Sequence, residues 1–284
     1  MATDPRDRLG TLLDGAAVVA VALVLVGVHV LVPAGVREGF ALQFAEPDPF
    51  HALTAAYVHL GDAHLRANVV GLLAGGGWAI LASRLAGEPR WFRFSLLWFL
   101  TALPIGVGLT GAWLVGGAAT SRGFSAGVAG FAGFGLVGVA VVLERRFGAE
   151  RWLARNVAAA LTVALGAEVS WLVTGGISPL VGAVVAVGLG LTLLPVGLAG
   201  LRRGLPADRD GRGRWASAAL VTALLSALVL VFVVALFPAD FADGPAVTNV
   251  LGHYLGLVYG GVIAAWGYRY WSVEPPAGPG NRRS

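Results

Sequence analysis

The sequence contains no cysteine and no lysine, and only 13% of its 284 residues are charged. The absence of cysteine excludes disulfide bonds, thiolate metal sites and a cysteine nucleophile. The low charge, together with 57% hydrophobic residues and a mean hydropathy of +0.76, excludes an ordinary soluble domain of this length. All 20 basic residues are arginine, and their positions bear on membrane topology.

Long apolar runs take the place of the missing charges. Eight runs are each long enough to cross a hydrocarbon layer of roughly 30 Å, and they lie near 15–34, 63–83, 92–115, 124–143, 153–173, 178–200, 215–237 and 246–268. With a cytoplasmic N-terminus, every arginine except Arg37, Arg66 and Arg122 falls in a cytoplasmic segment, as expected for short cytoplasmic loops. The sequence therefore predicts an all-α, polytopic transmembrane helical bundle of about eight spans in the cell membrane, with both termini cytoplasmic.

The spans divide the chain into three predicted parts. These are a cytoplasmic N-terminal segment at 1–14, a transmembrane domain at 15–271 and a disordered C-terminal tail at 272–284, rich in Pro, Gly and Arg. The segment 36–60 lacks a helical period and is predicted to be an amphipathic loop at the bilayer interface. Tryptophans such as Trp91 and Trp98 are predicted to lie in interfacial belts. The arginines indicate topology, so we expect membrane lipid rather than nucleic acid as a partner.

A few polar residues interrupt the apolar runs and are candidates for function, because lipid makes them costly. His64 and Asn68 begin the second span, Ser125 begins the fourth, and His253 lies about two turns into the last. These three spans run in the same direction, so the four side chains should lie at one depth. A serine becomes a nucleophile when a histidine takes its proton. His64 and Asn68, four residues apart on one helix face, suit the stabilisation of the resulting oxyanion.

Glycines flank both members of this predicted serine–histidine pair. Gly123 and Gly127 surround Ser125, while Gly256 and Gly260 follow His253 at four-residue spacing. Small residues let helices approach closely in lipid. The two faces are therefore predicted to pack together around the site.

Three motifs in this order resemble the rhomboid family of intramembrane serine proteases. They are His59, His64 and Asn68 in HLGDAHLRAN, Gly123 to Ala126 in GFSA, and His253, Gly256 and Gly260 in HYLGLVYG. The resemblance implies that Ser125 is the nucleophile and His253 the general base, with His64 and Asn68 in the oxyanion site. It also implies transmembrane protein segments as substrates, with no cofactor and no metal. The chain departs from the family pattern at Ala126 and Ala129, and in having three spans rather than one between the motif helices.

Two other functions are compatible with the sequence. One is a rhomboid-like protein that binds transmembrane segments without cutting them, in which Ser125 and His253 would only pack. The other is a transporter, in which Glu168, inside a predicted span, would be the first residue to suspect. Zinc and aspartyl proteases are excluded, because the sequence has no HExxH motif and no pair of aspartates within its spans.

Overall fold

The computed structural model describes residues 5–147 and 247–272, with Gly213 between them. Its α-helices are α1 (Pro5–Leu31), α2 (Ala34–Glu38), α3 (Pro49–Thr54), α4 (Asp62–Leu85), α5 (Pro89–Leu100), α6 (Ala102–Val115), α7 (Ser125–Phe147) and α8 (Val247–Ser272). A 3-10 turn spans Ala55–Tyr57, and strands β1 (Leu42–Gln43) and β2 (Thr120–Ser121) pair antiparallel. The protein is thus mostly helical, and the prediction of an all-α fold missed this short β pair.

Several of the helices have the length and composition of membrane spans. Asp7–Leu31, Asp62–Leu85 and Ser125–Val142 are long and apolar enough to cross a bilayer, and the bent pair α5–α6 makes a fourth if it is counted as one span. These helices identify a membrane protein. The predicted spans near 153–173, 178–200 and 215–237, Glu168 and residues 273–284 lie outside the described residues.

The predicted span 92–115 is broken, with a bend of 42° between α5 and α6. Pro104 has no N–H to donate to the carbonyl of Leu100, four residues earlier, and its ring disfavours a continuous helix there. The Tyr57 hydroxyl donates to that carbonyl at 2.6 Å, and Thr101 Oγ1 donates to the Leu97 carbonyl at 2.8 Å. Side chains therefore satisfy the backbone groups that the break exposes.

Helix α7 is the most buried of the candidate spans, with α4, α5 and α8 packed around it. Phe131 and Phe134 of α7 are fully buried. Trp91 is also fully buried: its ring stacks on Phe134 at 4.2 Å and its Nε1 donates to the Ala264 carbonyl at 2.7 Å. The prediction that Trp91 lies in an interfacial belt is therefore wrong, because a carbonyl inside the bundle accepts the indole N–H.

The predicted interfacial loop is folded. It contains α2, β1 and α3, and Leu42, Phe44 and Ala52 pack with Ala112 of α6 in a small apolar cluster. Asp48 caps α3 by accepting from the N–H groups of His51 and Phe50, and the hydrogen bonds from His51, with a smaller one from Phe50, lower the pKa of Asp48. Because α3 has only six residues, its sequence carries no helical period.

An ion-pair cluster joins three helices at the end of the bundle where α4 finishes. The Asp14 carboxylate of α1 is 3% exposed and accepts from Arg84 of α4 at 2.5 Å and from Arg93 of α5 at 2.6 Å. Both of its oxygens are thus paired with guanidinium groups. This cluster fixes α1 against the rest of the bundle.

Candidate functional site

Helices α7 and α8 run parallel and touch backbone to backbone. A Cβ atom at Gly256 would overlap the carbonyl oxygen of Ala126 and lie 3.0 Å from its carbonyl carbon. At Gly260 a Cβ would lie 2.7 Å from the Gly130 carbonyl carbon. Gly133 in turn lies against Leu257 and Gly261, so the stretch 126–133 of α7 faces the stretch 256–261 of α8 along its length.

This register brings the predicted catalytic residues to the same level of the bundle. One turn nearer the start of α8 than Gly256, His253 is level with the first turn of α7, which begins at Ser125. His253 is 7% exposed and Ser125 is half-buried. Their helical turns are therefore neighbours at the end of the bundle where α4, α7 and α8 begin, which we call the site end.

Ser125 is the first residue of α7 and follows a fixed turn. Gly123 has a positive φ of 102°, a conformation that favours glycine, and its N–H donates to the Ala55 carbonyl at 2.8 Å. The next N–H, that of Phe124, donates to His59 Nε2 at 3.4 Å, and the Phe124 ring is fully buried. The first N–H groups of α7 itself have no partner within the helix and carry its positive dipole. Ser125 therefore lies where a developing negative charge is favoured.

Helix α4 brings His64 against the turn before the serine, and Asn68 lies one turn further along. A Cβ at Gly123 would lie 2.8 Å from His64 Nε2, so the imidazole fills the space that glycine leaves. Asn68 is 3% exposed, and its Nδ2 donates to the His64 carbonyl at 3.1 Å. One amide N–H of Asn68 is thus used within α4, and the second is available to another acceptor.

The four glycines predicted to pack around the site have three different environments. Gly256 and Gly260 lie in the α7–α8 contact. Gly127 faces its own helical turn, where a Cβ would lie 2.7–3.0 Å from ring carbons of Phe124. Gly123 permits the turn and the approach of His64. Only two of the four therefore serve the close approach of α7 and α8.

His59, a loop residue of the first motif, holds the serine turn in place through a hydrogen bond. It is 3% exposed, its ring meets His64 edge-on at a centroid distance of 5.2 Å, and its Nε2 accepts from the Phe124 N–H. Burial, and then the nearby charges of His64, His29 and Arg37, lower the pKa of His59 to about 3. The ring is therefore neutral at neutral pH and keeps the lone pair that accepts this hydrogen bond.

A polar chain ties the loop to α1 and α4 at the site end. Asp62 pairs with His29 Nε2 at 2.9 Å, His29 Nδ1 contacts Arg37 Nη1, and the same Nη1 donates to the His59 carbonyl at 2.9 Å. Residues far apart in the chain form this connection, so no local motif indicates it.

Among the residues described, no group of three or more His, Asp or Glu side chains is placed to hold a metal ion. Comparisons with protein-family models, with curated proteins and with solved structures return no match. The function is therefore inferred from the side chains and backbone of the site.

Proposed function

We propose that this protein is a rhomboid-family intramembrane serine endopeptidase with Ser125 as nucleophile and His253 as general base. The observation that carries the proposal is the contact of Gly256 with the Ala126 backbone, which holds the turn bearing His253 beside the turn bearing Ser125. Backbones approach this closely only where both helices present small residues. A serine and a histidine at such a contact are suited to proton transfer.

The proposed reaction has two stages. Ser125 Oγ attacks the scissile carbonyl carbon while His253 takes the hydroxyl proton, and the C–N bond then breaks as His253 returns that proton to the leaving amine. A water, deprotonated by His253, next attacks the acyl carbon, and the ester bond to Ser125 Oγ breaks as His253 returns the proton to that oxygen. The Ser125 N–H, the His64 ring and the second N–H of Asn68 would donate to the oxyanion in both stages. His59 acts as a positioning residue, because it holds the turn from which Ser125 projects.

The proposed substrates are transmembrane segments of other membrane proteins that unwind near small or helix-breaking residues. The site lies where α4, α7 and α8 begin, so cleavage is expected close to that face of the membrane. The full topology belongs to the same proposal: about eight spans, both termini cytoplasmic, in the cell membrane. It requires no cofactor.

The test is cleavage of a single-span reporter by the full-length protein in liposomes. Ser125→Ala and His253→Ala should each abolish cleavage, while Ser121→Ala, a matched serine in β2, should leave it unchanged. Labelling by a fluorophosphonate, which traps activated serines, should map to residue 125 and depend on His253. Cleavage that persists in Ser125→Ala would refute the nucleophile. Failure of the folded wild type against a broad reporter panel, with no labelling, would favour a rhomboid-like protein that binds transmembrane segments without cutting them.

A further inference from the structure

Two arginines line a pocket at the site end, and neither pairs with a carboxylate of the described residues. Arg37 and Arg122 line it, together with Glu38, His59 and Leu60. Among the described residues, Arg37 Nε is buried without a hydrogen-bond partner, and the one side-chain hydrogen bond of Arg122 is to Thr120 Oγ1, at 3.3 Å. Within the part of the chain that the structure describes, neither arginine forms an ion pair with an acidic residue, Glu38 included. An anionic group is the complement of such a pocket.

The β pair fixes these two arginines relative to each other. Arg37 belongs to α2, shortly before β1, and Arg122 directly follows β2. The ladder pairs Leu42 with Ser121 and Gln43 with Thr120, so it joins the two segments that carry the guanidinium groups. One anion bound between them would contact both segments at once. A phosphate, with several acceptor oxygens, suits two guanidinium donors.

Exposed apolar side chains on the pocket rim and on the chain leading to it indicate the level at which the pocket lies. Leu60 lines the pocket and is exposed, as are Val30 and Leu31 at the end of α1 and Val36 on α2. Apolar surface next to arginine side chains is typical of the level at which acyl chains meet headgroups. At that level the anionic group nearest the pocket is a phospholipid headgroup, whose acyl chains would lie along these apolar side chains.

We propose that the pocket binds the phosphate of an anionic phospholipid headgroup through Arg37 and Arg122, with Leu60 and the end of α1 along its acyl chains. Predicted topology places only Arg37, Arg66 and Arg122 at this face, and two of the three line the pocket. Arg66 is exposed on α4 and does not line it. Lipid binding here does not require that Ser125 cleave a substrate.

The test uses the full chain purified in detergent and titrated with dioleoyl-phosphatidylglycerol, with bound lipid counted by native mass spectrometry and Tm measured in parallel. We expect Arg122→Gln to weaken binding by roughly tenfold or more, the loss typical of a charge-assisted hydrogen bond. Arg66→Gln removes the same charge at the same face and should bind like wild type. Arg37→Gln should weaken binding as well, and it is read second because Arg37 also holds the His59 carbonyl.

Two further ligands separate the possible sources of binding. Dioleoylglycerol has the same acyl chains without the phosphate, and inorganic phosphate has the anion without the chains. Neither should raise Tm as the phospholipid does. Equal effects of the phospholipid and inorganic phosphate would replace the lipid site with a soluble-anion site. Equal binding to the Arg122→Gln and Arg66→Gln proteins, or equal effects of the phospholipid and dioleoylglycerol, would overturn the proposal.

Discussion

One methyl group at residue 256 tests whether the α7–α8 contact sets the geometry of the site. Alanine in place of a helical glycine favours the helix by roughly 1 kcal/mol. At Gly256, however, the added Cβ would overlap the Ala126 carbonyl oxygen and lie 3.0 Å from its carbonyl carbon and Cα, where ordinary contacts begin at 3.4 Å. Because all of these atoms are backbone, no side-chain rotation relieves the overlap. The helices must separate by roughly 1 Å near His253.

A displacement of about 1 Å between reacting groups can cost on the order of 100-fold in rate. We therefore expect the kcat/KM of Gly256→Ala for a single-span reporter in liposomes to fall about 100-fold. Gly252→Ala on the same helix is the matched control, because a Cβ there meets no atom of the described residues within 4 Å. It should retain activity and gain a little thermal stability. If Gly256→Ala cleaves the reporter as fast as Gly252→Ala, the contact does not position the dyad and the reasoning is refuted.

Three further predictions concern stability. Tyr57→Phe should lower the free energy of unfolding, measured by denaturant titration, by about 1–3 kcal/mol. The reason is that the Leu100 carbonyl, which Pro104 leaves without a backbone donor, loses the Tyr57 hydroxyl. Tyr254→Phe, on an exposed side chain, should have no effect. Asp14→Asn should lower the free energy of unfolding by about 1–3 kcal/mol in the same assay, because it leaves Arg84 and the half-exposed Arg93 without their carboxylate. An effect no larger than that of Asp7→Asn, at an exposed residue, would contradict this. The pKa of His59, lowered to about 3 in the fold from an ordinary 6.5, predicts that stability falls as pH falls from 6.5 toward 3, because the unfolded chain takes up a proton that the folded protein excludes. Tm measured across that range should depend less on pH in His59→Gln than in wild type or in His51→Gln. If Tm falls equally with pH in His59→Gln and in wild type, His59 is not the cause.

Much of the fold follows from local patterns in the sequence. Apolar runs near 63–83 and 124–143 predicted helices where α4 and α7 lie, because an apolar run of about 20 residues favours helix in lipid whatever it contacts. The bend at Thr101 was missed, although Pro104 was its visible signal. Trp91 was misplaced because amphipathic residues suit both an interface and a core that offers their N–H an acceptor. The folded loop was missed because its helices are too short to show a period.

Composition and local pattern establish that the chain is apolar enough for a membrane, where α4, α7 and α8 begin, and which few polar residues are too costly in lipid to be incidental. The start of α1 at Pro5, well before the predicted 15, was not foreseen. The contact of Gly256 with Ala126, the packing of His64 against Gly123 and the hydrogen bond from the Phe124 N–H to His59 arise only when the helices pack. The physical reason is the range of the forces involved. Helix formation and insertion depend on neighbouring residues, whereas these contacts join residues that are from about 60 to 130 positions apart and form only when the helices pack.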